Sequence, residues 1–170
     1  MTDFSKIDYL RNGNDRQKRA YEVLTKYRIF EKLSDFSPIL AGTIPIEIDV
    51  EGSDLDIVCE VKEQFEFSKF LTNIFSDLDL KIETAIINKI ESTNCNFELE
   101  GLPIEIFGQN KPTTHQNAYL HMIAEHKILL EKGEDFKQKI IELKKQGIKT
   151  EPAFGMLLNL ENPYEDLLKF

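Results

Sequence analysis

Gly42-Thr43, ten intervening residues, and then Asp54-Leu55-Asp56-Ile57-Val58 form the stretch on which the fold turns. From Leu55 to Val61 the β-branched content and the alternation of side chains predict a strand. Side chains alternate across a strand, so Asp54 and Asp56 share one face while Leu55, Ile57 and Cys59 share the other. At a rise of ~3.3 Å per residue the two aspartates are roughly 6.6 Å apart at the backbone, and their oxygens can converge on one or two divalent ions. An isolated Asp-x-Asp is more often a solvated strand edge. Here the preceding Gly52-Ser53, the wholly apolar opposite face and the abrupt Gly42-Thr43 turn favour a metal site. Gly42 permits close approach of backbone to a phosphate, and the Thr43 hydroxyl and nearby N–H groups can hold phosphate oxygens.

A third acid fits downstream. In Phe97-Glu98-Leu99-Glu100-Gly101-Leu102-Pro103-Ile104-Glu105-Ile106-Phe107 the apolar residues alternate with acids, and Gly101 joins two strands as a tight hairpin. Glu105 stands between Ile104 and Ile106, so if those face the core it faces the side on which a neighbouring strand presents the aspartates. Taken alone it reads equally well as an exposed acid; its place in the most buried-looking hairpin favours a ligand.

The rest of the chain frames these strands. Upstream, Asn14-Asp15 caps a helix expected to run to about Leu33, followed by a short buried strand at Ile39-Leu40-Ala41. Downstream come an amphipathic helix over Phe67 to Leu78 and strands at Leu80 to Ile87, Cys95 to Glu100 and Leu102 to Phe107. Then come helices from Thr113 or Thr114 to about Lys132, from Glu134 to Gln146, from Thr150, and from Asn162-Pro163. Strands followed by helices predict an α+β fold: a mixed sheet flanked by helices with a helical C-terminal part. One domain over residues 1–170 is expected, with a sheet core at about 14–110 and a helical cap at about 111–170.

Composition narrows the function classes. The 170 residues carry a net charge of −9, which argues against a general grip on duplex nucleic acid or an anionic membrane. The imbalance is local, since residues 34–110 hold 16 acidic and 4 basic side chains. No apolar run reaches the ~18 residues of a membrane helix and no secretory leader is visible, so a cytoplasmic location is expected. Cys59 and Cys95 read as buried free thiols. On the helix after Thr113, His121 and Glu125 have zinc-compatible i, i+4 spacing, but a structural helix face is the favoured reading. If that helix borders the cleft, Gln116, His121 or Lys127 can contact base, ribose or phosphate. Lys18 and Arg19 on the first helix read as a solvated face, and also as the best candidates for steering a polyanion.

These residues resemble the nucleotidyltransferase superfamily, the fold of DNA polymerase beta. Its pattern of an apolar residue, Gly and a small residue, then Asp-x-Asp, then a later carboxylate is matched by Ala41-Gly42-Thr43, Asp54-Leu55-Asp56-Ile57 and Glu105. More narrowly, Leu40 to Ile46, Ser53 to Glu60, Glu105 to Gly108, Gln116 to His121 and Glu151-Pro152-Ala153-Phe154-Gly155 look like a bacterial family of unknown function within that superfamily. The resemblance implies two Mg²⁺ or Mn²⁺ ions held by Asp54, Asp56 and Glu105, a nucleoside triphosphate as donor, and Gly42, Thr43 and Ser53 against the substrate. Transfer of a nucleoside monophosphate to a small-molecule or protein hydroxyl, with release of pyrophosphate, would follow. The chain departs from the pattern in Thr43 for Ser or Gly, in Glu105 for Asp, and in a loop over residues 45–51 that has acids and no basic clamp. The last departure motivates an alternative, a non-catalytic nucleotide- or metal-binding module of the same fold acting with a protein partner. A metal-dependent phosphohydrolase is a third reading.

Overall fold

The computed structural model describes residues 2–170. Helix α1 (Asp15–Lys26) starts with a reciprocal cap, in which the Asn14 side chain accepts from the Gln17 backbone and the Gln17 side chain accepts from the Asn14 N–H. The expected continuous helix to Leu33 is broken. Arg28 adopts φ 54°, and a separate turn, α2 (Ile29–Lys32), follows. The break re-aims the chain so that Ile29 and Leu33 both reach the core, and the Arg28 guanidinium closes the turn onto Glu31.

Five strands form one mixed sheet in the order β1-β2-β5-β4-β3: β1 (Ile39–Ala41), β2 (Leu55–Glu60), β3 (Lys81–Ile87), β4 (Ile90–Leu99) and β5 (Leu102–Gln109). β2 and β5 run parallel and the other pairs are antiparallel. Between β2 and β3 lies α3 (Gln64–Ile74). The β4–β5 hairpin turns at Glu100-Gly101 as the sequence predicts, both residues having positive φ. β4 begins five residues earlier than expected, because Asn88 and Lys89 both take positive φ and make a two-residue turn from β3.

After β5 a single 3₁₀ turn at Thr113–His115 precedes α4 (Asn117–Lys132), so the helix expected from Thr113 starts later and no side chain caps it. α5 (Glu134–Lys145), α6 (Thr150–Leu158) and the short α7 (Pro163–Asp166) complete the chain.

The alternation of β2 divides the core. Leu55, Ile57 and Cys59 pack with α1, α3 and Ile104 and Ile106 on one face. Val58 packs with Ile39, Ile48, Met122, Ile128, Phe154 and Leu167 on the other. Asp56 lies on the Val58 face, so the C-terminal helices cover the same side of the sheet that carries the aspartates. Both thiols are free and fully buried. Among the described residues no helix is long and apolar enough to cross a membrane.

Candidate functional site

Register brings the acids together. Asp56 on β2 lies directly beside Glu105 on the parallel strand β5, and Ala41 on β1 lies on its other side. Asp54 precedes β2 by one residue on the same face. One carboxylate oxygen from each of Asp54, Asp56 and Glu105 falls within 4.8 Å of the others, the separation at which three acids can share cations. Among the described residues this is the one such group.

The electrostatics fit that use. Burial pushes the Asp56 carboxyl well above the ordinary aspartate range, and the charges of Asp54 and Glu105 push it further. Burial likewise raises Glu105, opposed by a hydrogen bond that Asn94 Nδ2 donates to Oε2 at 3.2 Å. Acids held together against their own repulsion are acids arranged for a cation.

Gly42 seats Asp56. It has φ +78°, and a Cβ there would lie 1.9 Å from Asp56 Oδ2. The sequence assigns the glycine to the approach of a phosphate; the structure fills the space of its missing side chain with the Asp56 carboxylate. The turn after it is held by Gln17, whose amide donates to the carbonyls of Ile44 (3.0 Å) and Pro45 (3.2 Å). Arg16 Nη2 donates to the Ser53 carbonyl at 2.8 Å, and Ser53 Oγ accepts from the Val50 N–H, which fixes the approach to Asp54.

A cavity of about 460 Å³ opens between this face of the sheet and α4. Gly42, Thr43, Asp56, Glu105, Gln116 and His121 line it. Asp54, Ser53 and Lys127 do not; Ser53 serves the backbone, and Lys127 is exposed on the outer side of α4. Gln116 is buried with its amide nitrogen committed, donating to the carbonyls of Cys59 and Lys111 at 2.9 Å each, while its Oε1 has no partner among the described residues. His121 is committed too. Nε2–H donates to the Tyr164 carbonyl at 2.8 Å, and Nδ1 lies 3.4 Å from Glu151. Burial works against its charge, but Glu151 and the Tyr164 carbonyl outweigh it and raise its pKa. His121 therefore ties α4 to α6 and α7.

The acidic loop is partly neutralised, although Glu51 stays exposed. Glu47 pairs with Lys137 at 2.6 Å, and Asp49 lies half-buried between the charges of Arg16 and Lys144. Lys144 is the cation that sequence reasoning missed. It stands on α5 near enough to Glu125, Asp49, Asp56 and Glu151 for each to act on its ammonium, yet none makes an ion pair with it. The basic face of α1 is partly spent elsewhere: Arg19 Nη2 donates to Glu100 at 2.6 Å, and Lys26 and Tyr27 reach the same carboxylate, so neither Arg19 nor Lys26 is free to steer an anion. Lys18 is exposed.

A five-stranded mixed sheet flanked by helices, with paired aspartates and a third carboxylate on the neighbouring strand, is a nucleotidyltransferase-like fold. Solved structures share it. Cid1 poly(U) polymerase bound to MgATP matches at TM-score 0.59 and 11% identity, over 89% of this chain and 53% of that one. A cytoplasmic RNA terminal U-transferase matches at 0.57 and 12%, over 91% and 52%, and the polymerase core of TRAMP at 0.53 and 12%, over 95% and 50%. The chain thus spans about half the length of these structures. It belongs to the family described as Domain of unknown function (DUF4269), which matches residues 22–170. No curated protein matches it.

Proposed function

We propose that this chain is a metal-dependent nucleotidyltransferase that moves a nucleoside monophosphate from a nucleoside triphosphate to a hydroxyl of a small molecule or protein. The observation that carries the reading is the convergence of Asp54, Asp56 and Glu105 within 4.8 Å, with Asp56 and Glu105 on the wall of a cavity large enough for a nucleotide. Asp54, Asp56 and Glu105 would hold Mg²⁺ or Mn²⁺, which supplies charge neutralisation for the phosphates and lowers the pKa of the acceptor hydroxyl. Glu105, raised by burial, is suited to take the acceptor's proton as its oxygen bonds to the α-phosphorus and pyrophosphate departs. Gly42 and Thr43 present backbone and hydroxyl to the phosphates at the cavity wall.

Lys144 supports transfer over a purely binding role. It offers, just beyond the cavity lining, the cation that the loop at residues 45–51 lacks, and none of the four carboxylates that act on it forms an ion pair with it. Residues 1–170 would act as one domain, in a reducing compartment where Cys59 and Cys95 stay thiols. The test is incubation with labelled ATP, GTP, CTP and UTP, Mn²⁺ and cell extract. Label retained on an acceptor, and lost in Asp56→Asn, is the expected result; calorimetry showing no metal-dependent binding of any of the four nucleotides would overturn the reading.

A further inference from the structure

Glu125 is the anomaly in the cavity. It lies on α4, it is 3% exposed, and it lines the cavity on the helical wall facing the sheet. No described residue donates a hydrogen bond to it or pairs with it, although Lys144 and Glu151 are close enough to act on its charge. A buried carboxyl without a partner costs stability, because it has given up its hydration for nothing in return. An apolar side chain of the same shape would fill the site at no such cost. Its neighbour Glu151 shows what a structural carboxylate looks like here, since it is paired with His121.

We infer that Glu125 is the specificity-determining group for the nucleobase, meeting its hydrogen-bonding edge inside the cavity. This rests on the nucleotidyltransferase reading. Three features of the site agree. The side chain has no described partner, so its capacity is reserved for something absent from the fold. The lining includes Met122, Ala118, Phe107 and Ile90, apolar surface that suits a flat aromatic ring, while the polar His121 and Glu151 on the same wall are already engaged with each other. The phosphates have their own candidates in Gly42 and Thr43 on the sheet side of the cavity, so Glu125 on the helical wall is left for the nucleoside. Burial pushes its carboxyl well upward, with Glu151 adding to the shift and Lys144 opposing it. A protonated carboxyl has one donor beside one acceptor, and nucleobases present adjacent acceptor and donor atoms along the edge used in pairing.

The experiment measures affinity by calorimetry in Mn²⁺ for two probes, each nucleoside triphosphate in turn and inorganic tripolyphosphate, which has no base. Wild type is compared with Glu125→Leu and Glu125→Gln. Thermal unfolding of the leucine variant is expected at or above the wild-type temperature, which confirms that it folds. The inference expects Glu125→Leu to weaken the preferred nucleotide about tenfold or more while leaving tripolyphosphate unchanged, and Glu125→Gln, which keeps a donor beside an acceptor, to stay within about threefold of wild type. Equal nucleotide affinity in Glu125→Leu, an equal loss for both probes, or a glutamine variant as weak as the leucine one would each overturn it while leaving the nucleotidyltransferase reading in place. Wild type that binds no nucleotide with metal would overturn both.

Discussion

Gly42 and Asp56 compete for one volume: a methyl group on residue 42 would stand 1.9 Å from the Asp56 carboxylate. The glycine of the first motif is therefore a structural condition for the acid of the second. Gly42→Ala forces a left-handed backbone on alanine, at about 1–2 kcal/mol, and displaces Asp56 as well. The expected outcome is a lower unfolding temperature together with a loss of at least tenfold in Mn²⁺ affinity. Unchanged Mn²⁺ affinity in a folded variant would show that Asp56 is not seated by the glycine.

Asp56→Asn separates stability from function. The Asp56 carboxyl is raised in the folded protein, so ionising it costs stability as pH climbs above its unfolded value near 3.8. Metal-free Asp56→Asn should be more stable than wild type at pH 7, by on the order of 1 kcal/mol or roughly 2–4 °C. The gap should close as pH falls toward the unfolded value. Added Mn²⁺ should stabilise wild type and leave the variant unmoved. Thermal scans across pH, with and without Mn²⁺, check all three statements.

The His121–Glu151 pair has the opposite sign on its two sides. His121 is raised, so its contribution is whole below the unfolded value near 6.5 and is lost as pH rises through the folded one. Glu151 is lowered, because the His121 hydrogen bond and charge outweigh its burial, and its contribution is lost only as pH falls through its folded value. His121→Gln should therefore cost most, about 1 kcal/mol, between roughly pH 4.5 and 6.5, and the cost should shrink at higher pH. A difference that stays constant from pH 5 to 9 would show that the imidazolium is not the stabilising form.

Lys144→Met tests the missing clamp. Burial lowers the Lys144 pKa while four carboxylates support its charge, so the substitution removes a cation from an acidic neighbourhood. Nucleoside triphosphate affinity in Mg²⁺ should fall about tenfold, with a smaller difference at high salt, where the ammonium is already screened. An affinity equal to wild type at low salt would remove Lys144 from the site.

The sheet was legible because its evidence is local. Two-residue alternation through Leu55, Ile57 and Cys59 put Asp54 and Asp56 on one face, and the acid between Ile104 and Ile106 followed by the same rule. What stayed hidden depends on distant pairing or on backbone angles without a residue signature. Asn88-Lys89 turns a hairpin without a glycine, and Arg28 takes a left-handed angle that nothing in its sequence context announces. Asn94, Gln17 and Lys144 reach the site from strand and helix positions that read as ordinary polar surface. The sequence offers Glu125 only as a zinc-spaced neighbour of His121, since a helix pattern cannot show that a carboxyl will be buried without a partner. The acids of residues 47–51 looked like an obstacle until Lys137 was placed beside Glu47, 90 residues away in the chain.

The two buried thiols give this fold a built-in clock. Cys59 lies three residues beyond Asp56 on β2, and burial pushes its thiol up to about 12; Cys95 lies on β4, its thiol raised to about 11. Neither reacts with an alkylating reagent until its strand opens, because the reagent needs both access and thiolate. Labelling rates at the two positions therefore time the opening of the sheet at β2 and two strands away at β4. Mn²⁺ should slow the Cys59 rate more than the Cys95 rate if the ion staples β2 to β5, and mass spectrometry of the labelled peptides reads the difference directly.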